Sequence, residues 1–543
     1  MSRLLTGPRP GSRSTLGKMD RRSRLVLLSV LGSGVFLSGL ELMVTAVALP
    51  SIVTDLSSWT ELRLASWIIN GYLLAYVITM PLAGRLADQL GARRLFLAGL
   101  ALFTIGSLLA GRALSLEELI AGRVVQAIGG GILVPVGTAA ASHLFGDEDR
   151  PRALGVIGGL TFLGMAAGPF MGAWIIGNFH PASALEASGS ADGPLYDALA
   201  ASWRYVFYVN VPIGIAALAL AWAASSGWET EREHGSLDLG GALAFSLGIG
   251  LILISTTLAG STEIAGRVVG QTLILAVAGA FGVLGLALSA VMGARHPRPF
   301  FDVRLFRHPV FSSAVLVSLL TGYGFTTAIV GGAVFVDRVL YGGSDVQRIA
   351  LGALAGATAL GALGSGFVLR ALGLRLVTVV GLGLSIVALV RMSTWSPATG
   401  IGEVAALLAV FGLGFGLTVT PRSIAAISVV GRSAYGVASA TVTVARMLGM
   451  AIGLATLTAF GSTTIDRLSV QIYATPDSYK ALIPDALRNR SLYDGLVVQA
   501  LERWAAHEAG RILVGVFLVA AAVTAIALVP ALALRRPRIL DEP

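Results

Sequence analysis

The stretch from Gly84 to Leu95, GRLADQLGARRL, is a short charged turn framed by glycines between two long apolar runs. A similar frame returns at Gly366 to Val377, GFVLRALGLRLV, where Gly366, Leu372, Gly373 and Arg375 match Gly84, Leu90, Gly91 and Arg93. The match runs on to Gly99 and Gly381. A second pair, LGMAAG at Leu163 to Gly168 and LGMAIG at Leu448 to Gly453, follows at nearly the same offset. Chance produces one such match in a chain rich in Gly and Leu; two at a near-constant offset point to a duplicated helical bundle. Parallel repeats of bundles within one membrane protein are a transporter architecture.

Composition supports a membrane-embedded chain. Hydrophobic residues make up 55% of 543 positions and charged residues 13%, and the mean hydropathy is +0.79. Soluble domains carry about twice that charged share. About fourteen apolar stretches reach the roughly 20 residues a spanning helix needs. Long runs of Leu, Ala and Gly without alternation predict helices and exclude a β-barrel. The expected class is an all-α polytopic membrane protein. Two six-helix bundles occupy 25–226 and 309–534, and the inserted helix pair lies in 227–308. Residues 1–24 read as a basic tail, 535–543 as a second tail, and 462–509 as a long outer loop. The outer segment Asn178 to Ser202 reads as flexible. The last third of 462–509 reads as an amphipathic helix on the membrane surface, with Leu496, Leu501 and Trp504 at helical spacing.

With no cysteine there is neither disulfide nor thiol chemistry, and six scattered histidines give no metal-ligand spacing. GxxxxGK[ST] is absent as well, so no cofactor and no nucleotide is expected. The net charge of +9 raises nucleic-acid binding, but its placement argues against it. Arg3, Arg9, Arg13, Lys18, Arg21, Arg22 and Arg24 precede the first span; Arg93, Arg94, Arg150, Arg152, Arg295, Arg298, Arg304 and Arg307 sit in alternate loops; Arg535, Arg536 and Arg538 follow the last. That is a positive-inside pattern with both termini in the cytoplasm, and it fits contact with anionic lipid. The loop Gly227 to Asp238 is the exception, because Glu229, Glu231 and Glu233 outnumber Arg232. Ala46-Val47-Ala48 resembles a signal cleavage site, but Glu41 interrupts an apolar run already too long for one, so an uncleaved first span is expected.

Charges within a span cost about 2.5–3.5 kcal/mol each on insertion scales and face polar interiors. Glu41, Arg123 and Arg446 stand out. Thr45 lies one turn beyond Glu41, and Gln126 shares a helix face with Arg123. Burial disfavours a carboxylate's charge and a nearby arginine favours it. Such a group holds a proton in one conformation and releases it in another. Glu41 is therefore the candidate proton-coupling group and Arg123 its modulator; a static ion pair bracing the bundle is the bland alternative. Trp67, Asn70, Tyr72 and Tyr76, with Thr45, Gln126 and Arg446, are candidates to line a substrate cavity. Gly164, Gly168 and Gly172 form a strip at four-residue spacing beside Pro169, suited to close helix approach and a bend. At the opening turn, Gly84 allows tight packing, Gly91 a left-handed turn, and Asp88 is placed to meet the positive end of another helix. With Arg93 these residues are candidate gating positions.

Several of these segments carry a family resemblance. GRLADQLGARRL resembles the loop between spans two and three of the major facilitator superfamily. AGRVVQAIGGG from Ala121 resembles its span-four motif and GMAAGPFMGA from Gly164 its span-five antiporter motif, with Ala173 where glycine is usual. LELMVTAVALP from Leu40 is similar to the first span of the fourteen-span drug/proton antiporters, Glu41 replacing the usual aspartate. WRYVFYVNVPIG from Trp203 is similar to that subfamily's lead-in to span six. In the second-half loop Arg370 replaces the acidic residue. The resemblance implies a major facilitator fold with about fourteen transmembrane helices and a central cavity. It also implies multi-pass residence in the cell (inner) membrane and proton-driven export of amphipathic small molecules, that is, multidrug efflux. Export of an endogenous lipid or lipid-linked molecule, with a periplasmic or lipoprotein partner at the outer loops, is the first alternative, and a non-transporting sensor the second. The absence of HExxH, GxSxG and paired catalytic aspartates argues against an enzyme.

Overall fold

The computed structural model describes residues 21–56, 67–187, 193–223, 238–260, 269–296, 302–430, 434–473, 478–489 and 494–535. Among these every regular element is helical, as hydrocarbon demands of a chain that must satisfy its own backbone hydrogen bonds. The first set comprises α1 (Arg21–Leu56), α2 (Trp67–Leu90), α3 (Ala92–Arg112), α4 (Leu116–Leu144), α5 (Arg150–Asn178) and α6 (Asn210–Ala223). The short helix Arg204–Tyr208 leads into α6. Next come α7 (Leu239–Gly260) and α8 (Val269–Arg295), then α9 (Pro309–Val334). Ser344–Met392 is a run of 49 residues broken at Gly373, where φ is 75°. It is two helices, α10 (344–372) and α11 (374–392). The set closes with α12 (Ile401–Ile427), α13 (Tyr435–Tyr473) and α14 (Gly495–Ile526).

Among the described residues twelve helices are long and apolar enough to cross a membrane. One of them, Val346–Met392 with 47 residues, contains both α10 and α11. At about 1.5 Å per residue an unbroken run of that length would measure roughly twice the hydrocarbon thickness. α7 packs along α8, and its apolar run Gly240–Ile252 is shorter than a span. The repeat read from the sequence has a backbone meaning: Gly91 (φ 92°) and Gly373 (φ 75°) both reverse the chain in a conformation that side chains rarely adopt.

Packing in the two sets follows one plan. α1 lies on α5 as α9 lies on α13, α2 on α4 as α10 on α12, and α3 on α4 as α11 on α12. The sets meet along two seams that exchange under the repeat, α2 with α13 and α5 with α10. The α7–α8 hairpin belongs to neither set and leans, through α7, on α2 and α13 beside the first seam.

Several expectations change. The segment read as flexible contains two short helices, Pro181–Ala187 and Pro194–Leu199. The 462–509 segment is not a free loop with a surface helix. α13 continues to Tyr473, and the amphipathic stretch is the beginning of α14, continuous with the last span. At 39 and 32 residues these helices measure about 58 and 48 Å and so project well past a core of about 30 Å. The amphipathic face of α14 has a partner: Val497 is buried against Tyr479 and Ile483 of the connecting segment, with Leu501 beside them. The first helix begins at Arg21, inside the expected tail; residues 1–20, like most of the acidic loop 227–238, lie outside the described residues. The apolar run 402–421 is expected to end at Pro421, but α12 runs through it to Ile427, six residues further.

Candidate functional site

The centre of the first set is a hydrogen-bonded group built from α1, α4 and α6. Glu41 is fully buried, Arg123 2% exposed and Asn210 fully buried. One guanidinium nitrogen of Arg123 (Nη1) donates to Glu41 Oε1. The same oxygen accepts from Thr45 Oγ1 at 2.9 Å, and Glu41 Oε2 accepts from Asn210 Nδ2 at 2.7 Å. Helical spacing puts Thr45 one turn from Glu41 on α1. α6 is brought to the carboxylate by an anchor at its lead-in: Trp203 Nε1 donates to Asp55 at 2.9 Å, and Arg204 caps the carbonyls of Gly111 and Ala113.

Arg123 is held on every side. Its Nη1 donates to Gln126 Oε1 at 2.7 Å; Gln126 Nε2 donates to Ser107 Oγ at 2.8 Å; Ser107 in turn donates to the Phe103 carbonyl at 2.8 Å. The guanidinium also stacks over Tyr72, 3.9 Å from the ring centroid. A buried charge pair is tolerable when its remaining lone pairs and protons are satisfied in this way, and removing one partner from such a pair costs about 3–5 kcal/mol. Next to it, Tyr72 and Tyr76 stack at 5.7 Å, and Ser38 Oγ lies 3.1 Å from Tyr76 OH.

Around the Glu41–Arg123 pair, Asn210 Oδ1 and Tyr72 OH are buried without a hydrogen-bond partner among the described residues. The first matters chemically. Asn210 serves the carboxylate by donating Nδ2–H. Turning its amide over presents Oδ1, which accepts the O–H of a protonated Glu41. Both charge states of Glu41 therefore have a partner in the same side chain.

The candidate gating residues occupy the end carrying the Gly84 turn. Asp88 Oδ1 accepts from the Gly436 N–H at 2.8 Å and Oδ2 from the Val437 N–H at 2.9 Å. Those amides open α13, where unpaired donors and the helix dipole favour an anion. Gly84 permits the approach, since a Cβ there would sit 2.5 Å from the Gly436 carbonyl oxygen. At the second seam, Gly155 and Gly159 of α5 meet Ala362, Leu363 and Gly366 of α10. Arg370, which replaces the acidic residue of the repeat, pairs with Glu148 at 3.1 Å. This end of the molecule is closed across both seams.

Other sequence candidates land elsewhere. Gly164, Gly168 and Gly172 pack α5 against α1, opposite Phe36, Leu40 and Val44, and so clamp the helix that carries Glu41; Pro169 lies within the same helix. They do not face the other set. Trp67 and Asn70 are only partly buried and do not join the Glu41 network. Arg93 lies partly exposed beside the Gly91 turn. Arg446 stands over Phe162, 5.6 Å from its ring centroid, away from Glu41. Asn210, Ser107, Ser38 and Arg422 were missed. Asn210 carries a signal, an amide in the apolar run VNVPIG; Arg422 lies one residue past the apolar run 402–421.

Residues 31–454 match the family model described as Major Facilitator Superfamily. A triacylglyceride transporter of Mycolicibacterium hassiacum is 31% identical over 485 residues, 86% of this chain and 85% of that one. The multidrug resistance protein B homolog of Mycobacterium tuberculosis is 27% identical over 547 residues, 96% of this chain and 92% of that one. Among solved structures, the human organic anion transporter MFSD10 aligns with a TM-score of 0.58 at 14% identity, covering 92% of this chain and 99% of that one. A proton:xylose symporter aligns with a TM-score of 0.55 at 14% identity, covering 93% and 95%. Its family match, paired helical sets and closed double seam make this chain a member of the Major Facilitator Superfamily.

Proposed function

We propose that the protein is a proton-coupled exporter of amphipathic molecules working by alternating access, with endogenous lipid as the best-supported substrate class. The observation that carries proton coupling is the Glu41 carboxylate, buried in one set of helices, bound to Arg123 and facing an amide that can serve it charged or neutral. In the form closed at the Gly84-turn end, protonation from outside removes the charge that holds Arg123, loosens α1 from α4 and favours release outward, after which the seams part. Deprotonation to the cytoplasm restores the pair, and the seams close again once cargo is loaded. One proton moving down a membrane potential supplies about 2.3 kcal/mol per 100 mV, enough for useful accumulation.

Lipid is favoured by a side cavity. A space of about 750 Å³, including its open mouth, lies where α2, α7 and α13 meet, lined by Pro81, Phe245, Ile249, Val437, Ala440 and Val444. Its walls are almost wholly apolar, the setting for a molecule arriving from the bilayer. The similarity to triacylglyceride transporters points the same way. Multidrug efflux remains the second reading, supported by a relative named for it that aligns over nearly the whole chain. On either reading the protein is multi-pass in the cell membrane, with the basic, Gly84-turn end and both termini cytoplasmic.

Inverted vesicles with an imposed pH gradient test this. Fluorescent acylglycerols and lipophilic dyes are offered to wild type and Glu41→Gln, and uptake is followed with proton release. Gradient-driven uptake lost in Glu41→Gln supports the reading. Undiminished coupled uptake in the variant refutes Glu41 as the coupling group, and uptake of dyes without acylglycerols replaces lipid by drug efflux.

A further inference from the structure

The second set of helices holds a charge arrangement that the Glu41 network does not use. Arg422 of α12 is 1% exposed. Its Nη1 donates to Thr321 of α9, and its Nη2 is buried without a hydrogen-bond partner. The guanidinium lies over Phe415, 5.1 Å from the ring centroid. Arg446 of α13 lies over Phe162 at 5.6 Å, and Phe162 and Phe415 touch edge to face at 5.5 Å. The two guanidinium groups thus stand on the two rings of one contacting pair.

No carboxylate neutralises this pair among the described residues. The three buried acids are committed elsewhere: Glu41 to Arg123, Asp88 to the start of α13, and Asp238 to the Gly241 amide that opens α7. Arginine does not shed its proton in proteins, so two like charges stand together, Arg422 buried and Arg446 partly so, with a donor left over. An anion joining the group would neutralise it and take up that donor. Its place fits a carried molecule. Phe162 comes from the first set and Thr321, Phe415, Arg422 and Arg446 from the second, so the group spans the plane on which the halves must part.

We propose that Arg422 and Arg446 bind the anionic head, a phosphate or carboxylate, of the amphipathic molecule that this transporter carries. The inference rests on the export reading for its substrate but not for its geometry. Oxygens of the head accept from the free Nη2 of Arg422 and from Arg446, the fork-to-oxygen geometry that arginine favours. Phe162, Phe415 and Phe325, which stacks on Phe415 at 4.5 Å, offer the apolar wall for the adjoining chain. On this view a lipid with a charged head is carried in preference to a neutral acylglycerol.

The test is direct binding to the full chain in nanodiscs of zwitterionic lipid, without any gradient. Dodecyl phosphate, dodecanol and inorganic phosphate are titrated into wild type, Arg422→Gln, Arg446→Gln and Arg422→Lys. Dodecyl phosphate is expected to bind tighter than dodecanol by about tenfold or more, with that preference lost in both glutamine variants and partly kept in Arg422→Lys. Competition by inorganic phosphate at comparable concentration would identify a free anion as ligand; its failure to compete identifies a lipid head group. Equal affinity for dodecyl phosphate and dodecanol in wild type overturns the proposal, as does a preference that survives Arg422→Gln. Melting of the ligand-free protein separates a binding site from a brace: removing one of two unneutralised charges should raise or preserve the melting temperature. A clear fall, with the preference unchanged, overturns the assignment. If the preference holds while vesicle transport ignores the proton gradient, the export mechanism falls and the anion site stands.

Discussion

Replacing Asp88 with alanine should open the end of the transporter that carries the Gly84 turn. In the closed form the carboxylate, 3% exposed, takes two amide hydrogens at the start of α13, at 2.8 and 2.9 Å. Hydrogen bonds to a charged group contribute about 1.5–3 kcal/mol each, and proximity to a helix N-terminus adds about 0.3–2. Part of this returns when the seam parts and water reaches both groups. A net loss of about 3 kcal/mol moves the closed-to-open ratio on the order of a hundredfold. Because the chain has no cysteine, two introduced cysteines at the exposed positions Leu90 and Leu372 carry the only spin labels. Pulsed electron resonance then reads the distance between the halves. Wild type should give one short distance and Asp88→Ala a long component that dominates. Asp88→Asn keeps an acceptor without the charge and should fall between them. An unchanged distance distribution in folded Asp88→Ala would refute the claim that this contact holds the seam.

Glu41→Gln leaves Arg123 buried without its counter-charge and should lower stability by about 3–5 kcal/mol, whereas Glu41→Gln with Arg123→Gln should recover much of the loss; thermal melting of the single and double variants reads the coupling. Gly168→Val puts a Cβ 2.8 Å from the Leu40 carbonyl oxygen and pushes α1 off α5, so melting should fall and export should weaken together, while the more open position Gly177→Ala should change neither. Ala440→Phe fills the side cavity beside α7; uptake of fluorescent acylglycerol should slow several-fold while that of a water-soluble dye persists, and equal slowing of both would remove the cavity from the lipid path.

The membrane class, the duplication and the two chain reversals were legible because they depend on local chemistry. Twenty apolar residues signal a span wherever they end up, and Gly91 and Gly373 mark left-handed turns in matching sequence frames. Glu41 and Arg123 stood out for the same reason: a charge in hydrocarbon is costly enough that its presence calls for a partner. Arg422 breaks the same rule but lies one residue past the apolar run 402–421, whose last residue is Pro421; a proline inside a spanning helix is tolerated when neighbouring helices take up the freed carbonyl.

What the sequence by itself determined is therefore the set of helices, their order, and which residues must find a polar partner. Which partners they find was decided by tertiary structure. Glu41 meets Asn210 across 169 positions, and Asp88 meets the start of α13 across 348. The glycine strip of α5 turns toward α1 and not toward the other half. Arg422 and Arg446 come together on one pair of phenylalanines. Each depends on the rotation of one helix against another, and in lipid that rotation is set by close packing and hydrogen bonds between helices, because hydrophobicity is satisfied on every face and selects none.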